Sequence, residues 1–413
     1  MLIKPKSITS IPINVVGLVC FLLAIFLLPI FKIDWSLALK VSFILLVTAL
    51  PIIILEIFFY RPPLLKKIFK TLRVGLKEWK RVTVKLIALF AIYSFITLIY
   101  WVFPEYKGDF YQPFWNILFP ILPWLILLAI PYFFIVDEYM DQPEDSYYLF
   151  GLWLLGQRVF EQKKIPQLLL GWLVKLFFLP LMIVYFTNNI NSLLNMHNNF
   201  NPVTQSFTNI YNYLWLLLFT IDLAFACIGY VFTMRLLDAH IRSTEPTTLG
   251  WVSTLICYQP FYSGVSAIFF AYNLDNYEWG AWLSNTPILY VTWGGVIMVL
   301  LAIYSFCTVM FGVRFSNLTN RGIITNGPYS FVKHPAFLSK NISWWMIGIP
   351  FISQSNDIAV IIKSCLMLLC LNGIYYVRAK TEERHLMSDP TYREYSEWIE
   401  QNGLFAKAKR VFS

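Results

Sequence analysis

Charge is scarce in this chain: Asp, Glu, Lys and Arg make up 13% of its 413 residues against 58% hydrophobic, and mean hydropathy is +0.61. So little charge does not suit an ordinary soluble globular protein. The six cysteines (Cys20, Cys227, Cys257, Cys307, Cys365 and Cys370) all fall inside apolar runs, form no CxxC and have no His at ligand spacing. They read as small core residues, so neither disulfides nor a metal is expected. The short alternating strands of a membrane β-barrel are missing. Also missing are an internal repeat, a low-complexity linker and a small-residue cleavage site behind Lys4 and Lys6, so the first apolar run is expected to be a retained span.

What the chain does have is apolar runs long enough to cross a bilayer as helix, which takes roughly 20 residues. They are Ile11 to Phe31, Leu37 to Tyr60, Val84 to Phe103, Phe114 to Val136, Ile165 to Phe186, Tyr211 to Met234, Leu249 to Tyr272, Pro287 to Val313, Ala336 to Ser353 and Ile358 to Val377. The expected fold is all-α: a polytopic helical membrane protein of about ten spans, its last two a tight antiparallel hairpin turned by Gln354 to Asp357. Pro120, Pro123 and Pro131 are expected to kink the fourth span.

Net charge is +9, and the Lys and Arg cluster beside the spans as orientation signals do, so no nucleic-acid partner is expected. The densest cluster, residues 61–85, carries Arg61, Lys66, Lys67, Lys70, Arg73, Lys77, Lys80, Arg81 and Lys85 against Glu78 alone. Leu65, Ile68, Phe69, Leu72, Leu76 and Trp79 recur within it at helical spacing, which suits a helix lying on an anionic cytoplasmic lipid surface. An even number of spans then puts both termini on the cytoplasmic side. The acidic run Asp137 to Asp145 reads as a solvated loop, and His197 as a surface residue. Lys175 and Asp222 fall within apolar runs, where a charge is costly; snorkelling accounts for the first and a bond to a neighbouring helix for the second.

The chemistry-bearing residues concentrate near the end, in residues 311–413, behind 1–310 whose role the sequence leaves open. Gly327 and Pro328 make a sharp turn, Tyr329 adds a ring with a hydroxyl, and Lys333, His334 and Pro335 open the next helix. Pro335 suits a first helical position, where the free N–H groups and Lys333 can hold an anion. Further on, Asn372, Tyr375, Tyr376, Ala379, Glu382 and Glu383 share one helical face that runs out of the membrane. Arg378 and Glu382 are spaced as an i,i+4 ion pair, which leaves Glu383 free to meet a polar or cationic ligand.

These two pieces resemble the C-terminal core of the isoprenylcysteine carboxyl methyltransferase and phospholipid methyltransferase superfamily, over about Phe311 to Trp398. There, GxYxxxRHPxYxG precedes a helical hairpin, and RxxxEExxL followed by YxxY comes after it. The chain supplies Gly327, Tyr329, His334 and Pro335, then Arg378, Glu382, Glu383, Leu386, Tyr392 and Tyr395. Lys333 replaces the usual Arg, which keeps the charge and loses bidentate geometry; Phe337 replaces a frequent Tyr and Ser339 a frequent Gly. The resemblance implies S-adenosylmethionine as methyl donor and a lipophilic acceptor entering from the bilayer. By matching positions, Gly327, Tyr329, Lys333, His334, Pro335 and Glu382 or Glu383 would form the cofactor site. Arg378 and the other glutamate would orient the acceptor. A carboxylate acceptor needs no base, whereas an ammonium must first lose a proton.

Two other readings remain open. Membrane sterol reductases resemble this C-terminal architecture and use NADPH, and the eight N-terminal spans equally suit a transporter or a non-catalytic scaffold. Transporters often carry paired interrupted repeats, which the sequence lacks. A bacterial inner membrane and the endoplasmic reticulum are both compatible locations.

Overall fold

The computed structural model describes residues 3–31, 34–71, 78–161, 163–197, 206–273 and 275–412. Its helices are α1 (Ile11–Ile30), α2 (Leu37–Phe59), α3 (Pro63–Thr71), α4 (Trp79–Val102), α5 (Gln112–Tyr139), α6 (Ser146–Leu154), α7 (Lys164–His197) and α8 (Phe207–Val231), followed by α9 (Thr248–Leu255), α10 (Ala267–Phe269), α11 (Trp279–Trp282) and α12 (Pro287–Val309). The C-terminal part adds α13 (Pro335–Gly348), α14 (Ile358–Leu386), α15 (Pro390–Asn402) and α16 (Leu404–Phe412). Short polar residues start several of them. Ser36, Asp145, Thr247, Asp357 and Asp389 each accept a hydrogen bond from a backbone N–H of the first turn. The long helices turn large apolar side chains outward, among them Phe119, Trp124 and Leu128 of α5 and Leu366 and Leu369 of α14. Such a surface suits lipid and not water.

The all-α polytopic membrane fold holds, with a correction to its count. Among the described residues, eight helices, not ten, are long and apolar enough to cross. The expected span from Leu249 to Tyr272 is broken, since α9 ends at Leu255 and only a turn of π-helix, Tyr262–Ser266, and α10 follow. Pro260, which lacks an N–H and clashes with the preceding turn, explains the break. The chain still travels from one end of the bundle to the other there, because Thr247 meets Arg384 near the end of α14 while Trp279 meets Tyr211 near the start of α8. Irregular backbone at membrane depth is tolerated where it is enclosed in protein or lines a cavity.

The expected span from Ala336 to Ser353 is α13, which at 14 residues is about 21 Å long, short of the roughly 30 Å hydrocarbon core. Pro350 stops it. The hairpin with α14 is antiparallel, since His334 meets Glu383 while Trp345 meets Asn372 further along. It is wider than a four-residue turn, because residues 349–357 form the connection and Asp275 fastens it through Ser353 and Ser355.

The acidic run is a solvated loop only in part, since Glu138, Asp141 and Glu144 are exposed while Asp137 is buried. Asp137 takes both Arg81 (2.7 Å) and the buried Lys85 (2.8 Å), and Asp141 pairs with Lys67. The basic segment is thus partly neutralised by this chain's own acids. Leu72, Arg73, Leu76 and Lys77 lie outside the described residues, as does the side chain of His197.

The N-terminal segment meets the connection before α13 at one end of the bundle. Residues 5–9 run along residues 323–326: Ile8 N–H donates to the Ile323 carbonyl (3.1 Å), Thr325 Oγ1 to Pro5 (2.9 Å) and Asn326 Nδ2 to Thr9 (2.8 Å). A two-stranded antiparallel ladder, β1 (Ser243–Thr244) with β2 (Thr319–Asn320), ties the same region to the connection after α8.

Candidate active site

A cavity of about 610 Å³ opens beneath this end, large enough for a drug-sized ligand. One wall is a face of α14, where Leu371, Tyr375, Arg378, Glu382 and His385 recur at spacings of three and four. At 1.5 Å per residue this stripe is about 21 Å long and runs from the membrane interior to the border. Opposite it, α13 contributes Phe337, Lys340 and Trp344, and the turn before it contributes Tyr329, Lys333 and His334. Of the residues singled out from sequence, Tyr329, Lys333, His334, Arg378 and Glu382 therefore line one space, while Gly327, Pro335 and Glu383 stand behind its wall.

Those three have supporting positions. Gly327 adopts φ +58°, and a Cβ there would lie 2.7 Å from Met310 Sδ, so the turn that presents Tyr329 needs a glycine. Pro335 occupies the start of α13, as its fixed φ favours. Glu383 is not free for a ligand, because its Oε1 is 3.1 Å from His334 Nε2 and its Oε2 accepts from Lys380 at 3.0 Å. This holds the imidazole in place, stacked parallel to Phe337 at 5.6 Å.

The expected ion pair between Arg378 and Glu382 is also absent. Buried Arg378 donates instead to Asn317 Oδ1 at 2.7 Å, with its guanidinium 5.0 Å from the Phe337 ring centroid, 5.7 Å from Tyr258 and 5.9 Å from Tyr375. Asn317 is itself held by the hydroxyls of Tyr230 and Tyr258. Glu382 is left on the wall with no hydrogen bond or ion pair among the described residues. Lys333 is engaged by the tail, donating to Ser396 Oγ (2.8 Å) and Glu400 Oε1 (2.6 Å), and this ammonium holds the Glu400 carboxyl below its ordinary range. Burial pushes the Tyr329 phenol well above its usual value, and Tyr395 anchors the Tyr329 carbonyl at 2.6 Å.

Beneath the site, Arg321 staples the connection together, donating to the carbonyls of Ala239, Gly229, Phe315 and Val313. Burial and the nearby Arg314 bring its guanidinium down to about 9. Sequence reasoning passed over Asn317, Tyr258 and Lys340. A lysine inside an apolar run is a signal that could have found Lys340; Asn317 and Tyr258 carry none, since only folding brings them to Arg378.

Residues 289–388 match the family model described as "Isoprenylcysteine carboxyl methyltransferase (ICMT) family". That stretch runs from α12 to just past the end of α14 and contains Gly327, Tyr329, Lys333, His334, Pro335, Arg378, Glu382 and Glu383, while Tyr392 and Tyr395 lie beyond it. The C-terminal part of this membrane protein therefore contains a methyltransferase-like module, similar to that family over residues 289–388. No curated protein and no solved structure matches the chain.

Proposed function

We propose that the chain is an integral-membrane methyltransferase that uses S-adenosylmethionine and methylates the carboxylate of a lipophilic acceptor. The observation that carries this reading is the single cavity joining the motif residues at the border to two cations deeper in, Arg378 of α14 and Lys340 of α13. At its outer end are the unpaired Glu382 carboxylate and the rings of Tyr329 and Tyr392, a set that suits a cationic, partly apolar group. When bound, S-adenosylmethionine supplies a methyl group on a sulfonium.

Deeper in, Arg378 is paired only with the neutral Asn317, and Lys340 has no hydrogen-bond or ion-pair partner among the described residues. Two cations that make no direct ion pair among the described residues favour a carboxylate there over an ammonium. The residues' task is to align this oxygen with the methyl carbon and exclude water. Transfer to a carboxylate forms one C–O bond and breaks one C–S bond, with the electron pair returning to sulfur, so no residue has to take a proton. His334, fixed by Glu383 and stacked on Phe337, positions the turn between the two halves. The chain traverses the bundle an even number of times, through the eight long helices, the broken segment and the short α13, and this with the basic segment after α2 supports a cytosol-facing site and cytosolic termini, in a bacterial inner membrane or the endoplasmic reticulum.

The test is binding of S-adenosylmethionine to the detergent-purified protein, followed by transfer of a labelled methyl group into extracted membrane lipid. Saturable binding weakened by Glu382→Gln and a base-labile methyl ester in the product are expected. No binding to folded protein, with NADPH oxidation in the presence of a sterol-like lipid, would replace this reading with the reductase.

A further inference from the structure

The cavity continues past Tyr375 into a chamber walled by helices that precede the methyltransferase module. Met182 and Tyr185 of α7, Trp215, Phe219 and Asp222 of α8, and Tyr262 of the broken segment all face it. Asp222 stands well inside α8, where an ionised carboxylate needs compensation. The compensation is partial: the Tyr304 hydroxyl donates to Oδ2 at 3.0 Å and the Thr308 hydroxyl to Oδ1, both from α12. A carboxylate has about four acceptor sites, so roughly half of this one's capacity remains open toward the cavity. Beside it, the Lys340 ammonium lies 5.0 Å from the Tyr304 ring centroid, 5.4 Å from Trp344 and 5.7 Å from Tyr375. It therefore sits between Asp222 and the ring it shares with Arg378.

We propose that Asp222 and Lys340 form a specificity subsite for the acceptor, one that takes an N–H or O–H donor carried beside the acceptor's carboxylate. The proposal rests on the methyltransferase reading and names the substrate class within it: a lipophilic acid with an adjacent hydrogen-bond donor. Lys340 attracts the carboxylate toward Arg378, Asp222 accepts the neighbouring N–H or O–H, and Trp215, Phe219 and Tyr262 pack the apolar body. A lipid acid without the donor would leave Asp222 half-satisfied in a water-poor chamber, which penalises it. This gives the N-terminal helices a function, since Asp222 is theirs, although its partners Tyr304, Thr308 and Lys340 lie in the module.

The test uses the full chain in detergent as wild type, Asp222→Asn and Thr308→Val; the last removes one orienting hydroxyl and keeps the acid. Lipids that co-purify are identified by mass spectrometry, and each protein is then given labelled S-adenosylmethionine and a total membrane lipid extract. The wild type is expected to retain and methylate a lipid acid whose fragments show an amide N–H or a hydroxyl next to the carboxylate. Asp222→Asn should retain about tenfold less of it, with a smaller fall for Thr308→Val and methyl-donor affinity unchanged within about twofold in both. If Asp222→Asn does not fold, Thr308→Val alone decides. Equal retention and the same product profile in every folded variant would overturn the subsite while leaving methyl transfer intact. Retained lipid without any methyl transfer by the wild type would overturn the methyltransferase reading and leave a lipid-binding chamber; a wild type that retains no lipid acid would sink the subsite.

Discussion

Arg378 Nη2 lies 2.7 Å from Asn317 Oδ1, and it is this neutral partner, not the glutamate one turn further along the helix, that sets the direction of the guanidinium. The consequence is double. A buried cation keeps its charge available to a ligand, and Glu382 keeps its own.

Asn317→Leu removes that partner and also the amide that donates to the hydroxyls of Tyr230 and Tyr258, although the Tyr230 hydroxyl still accepts from the backbone N–H of residue 317 at 2.9 Å. Losing a hydrogen bond to a charged group costs about 1.5–3 kcal/mol, so turnover with a lipid acceptor should fall roughly 10- to 100-fold. Affinity for the methyl donor should change little, and steady-state kinetics in both substrates would separate the two effects.

The adjacent glutamates should differ. Glu382→Gln should weaken methyl-donor binding by roughly tenfold, since it neutralises a carboxylate on the cavity wall. Glu383→Gln should leave donor affinity within a few-fold and lower the turnover number instead, because it loosens His334. Calorimetry of both variants checks this, and equal losses of affinity would sink the distinction.

Gly327→Ala places a side chain at φ +58° and 2.7 Å from Met310 Sδ. A left-handed non-glycine residue costs about 1–2 kcal/mol, so the unfolding midpoint should drop by a few degrees. Activity should fall further than stability, as the turn carries Tyr329 into the cavity.

Glu56 of α2 pairs with Arg314 at 2.6 Å, and both side chains are about 95% buried, at 4% and 5% exposure. Removing one partner of a buried pair costs about 3–5 kcal/mol. Glu56→Gln should therefore destabilise the whole chain strongly, and the double variant Glu56→Gln/Arg314→Met should recover part of the loss in thermal melts.

Burial, with Arg235, Arg242, Arg321 and Arg314 nearby, lowers His240 from its ordinary 6.5 to about 3. The folded protein keeps this imidazole neutral where the unfolded chain protonates it. Its effect is thus absent above pH 6.5, and stability is lost progressively as pH falls from 6.5 toward 3. Melts between pH 7.5 and 5 should show that decline, and His240→Gln should flatten it.

Much of the architecture was legible because a bilayer imposes a length and an apolarity on each crossing helix. The two expected spans that failed did so at Pro260 and Pro350, prolines written in the sequence but outweighed by the hydrophobic runs around them. The acidic run was misread in part for another reason: Asp137 finds Arg81 and Lys85 only because α4 and α5 pack side by side.

Within the site, the residue types that gather at the membrane border follow from the chain's own order, since helical spacing puts Tyr375, Arg378 and Glu382 on one face and a Gly-Pro turn precedes His334. Tertiary structure decided their partners. It gave Arg378 to Asn317 and Glu383 to His334, left Glu382 and Lys340 with no ion pair among the described residues, and brought Asp222 from a distant helix to the same cavity. The physical reason is that periodicity acts within one helix, whereas a charge takes its partner from whatever packing places within about 3 Å of it.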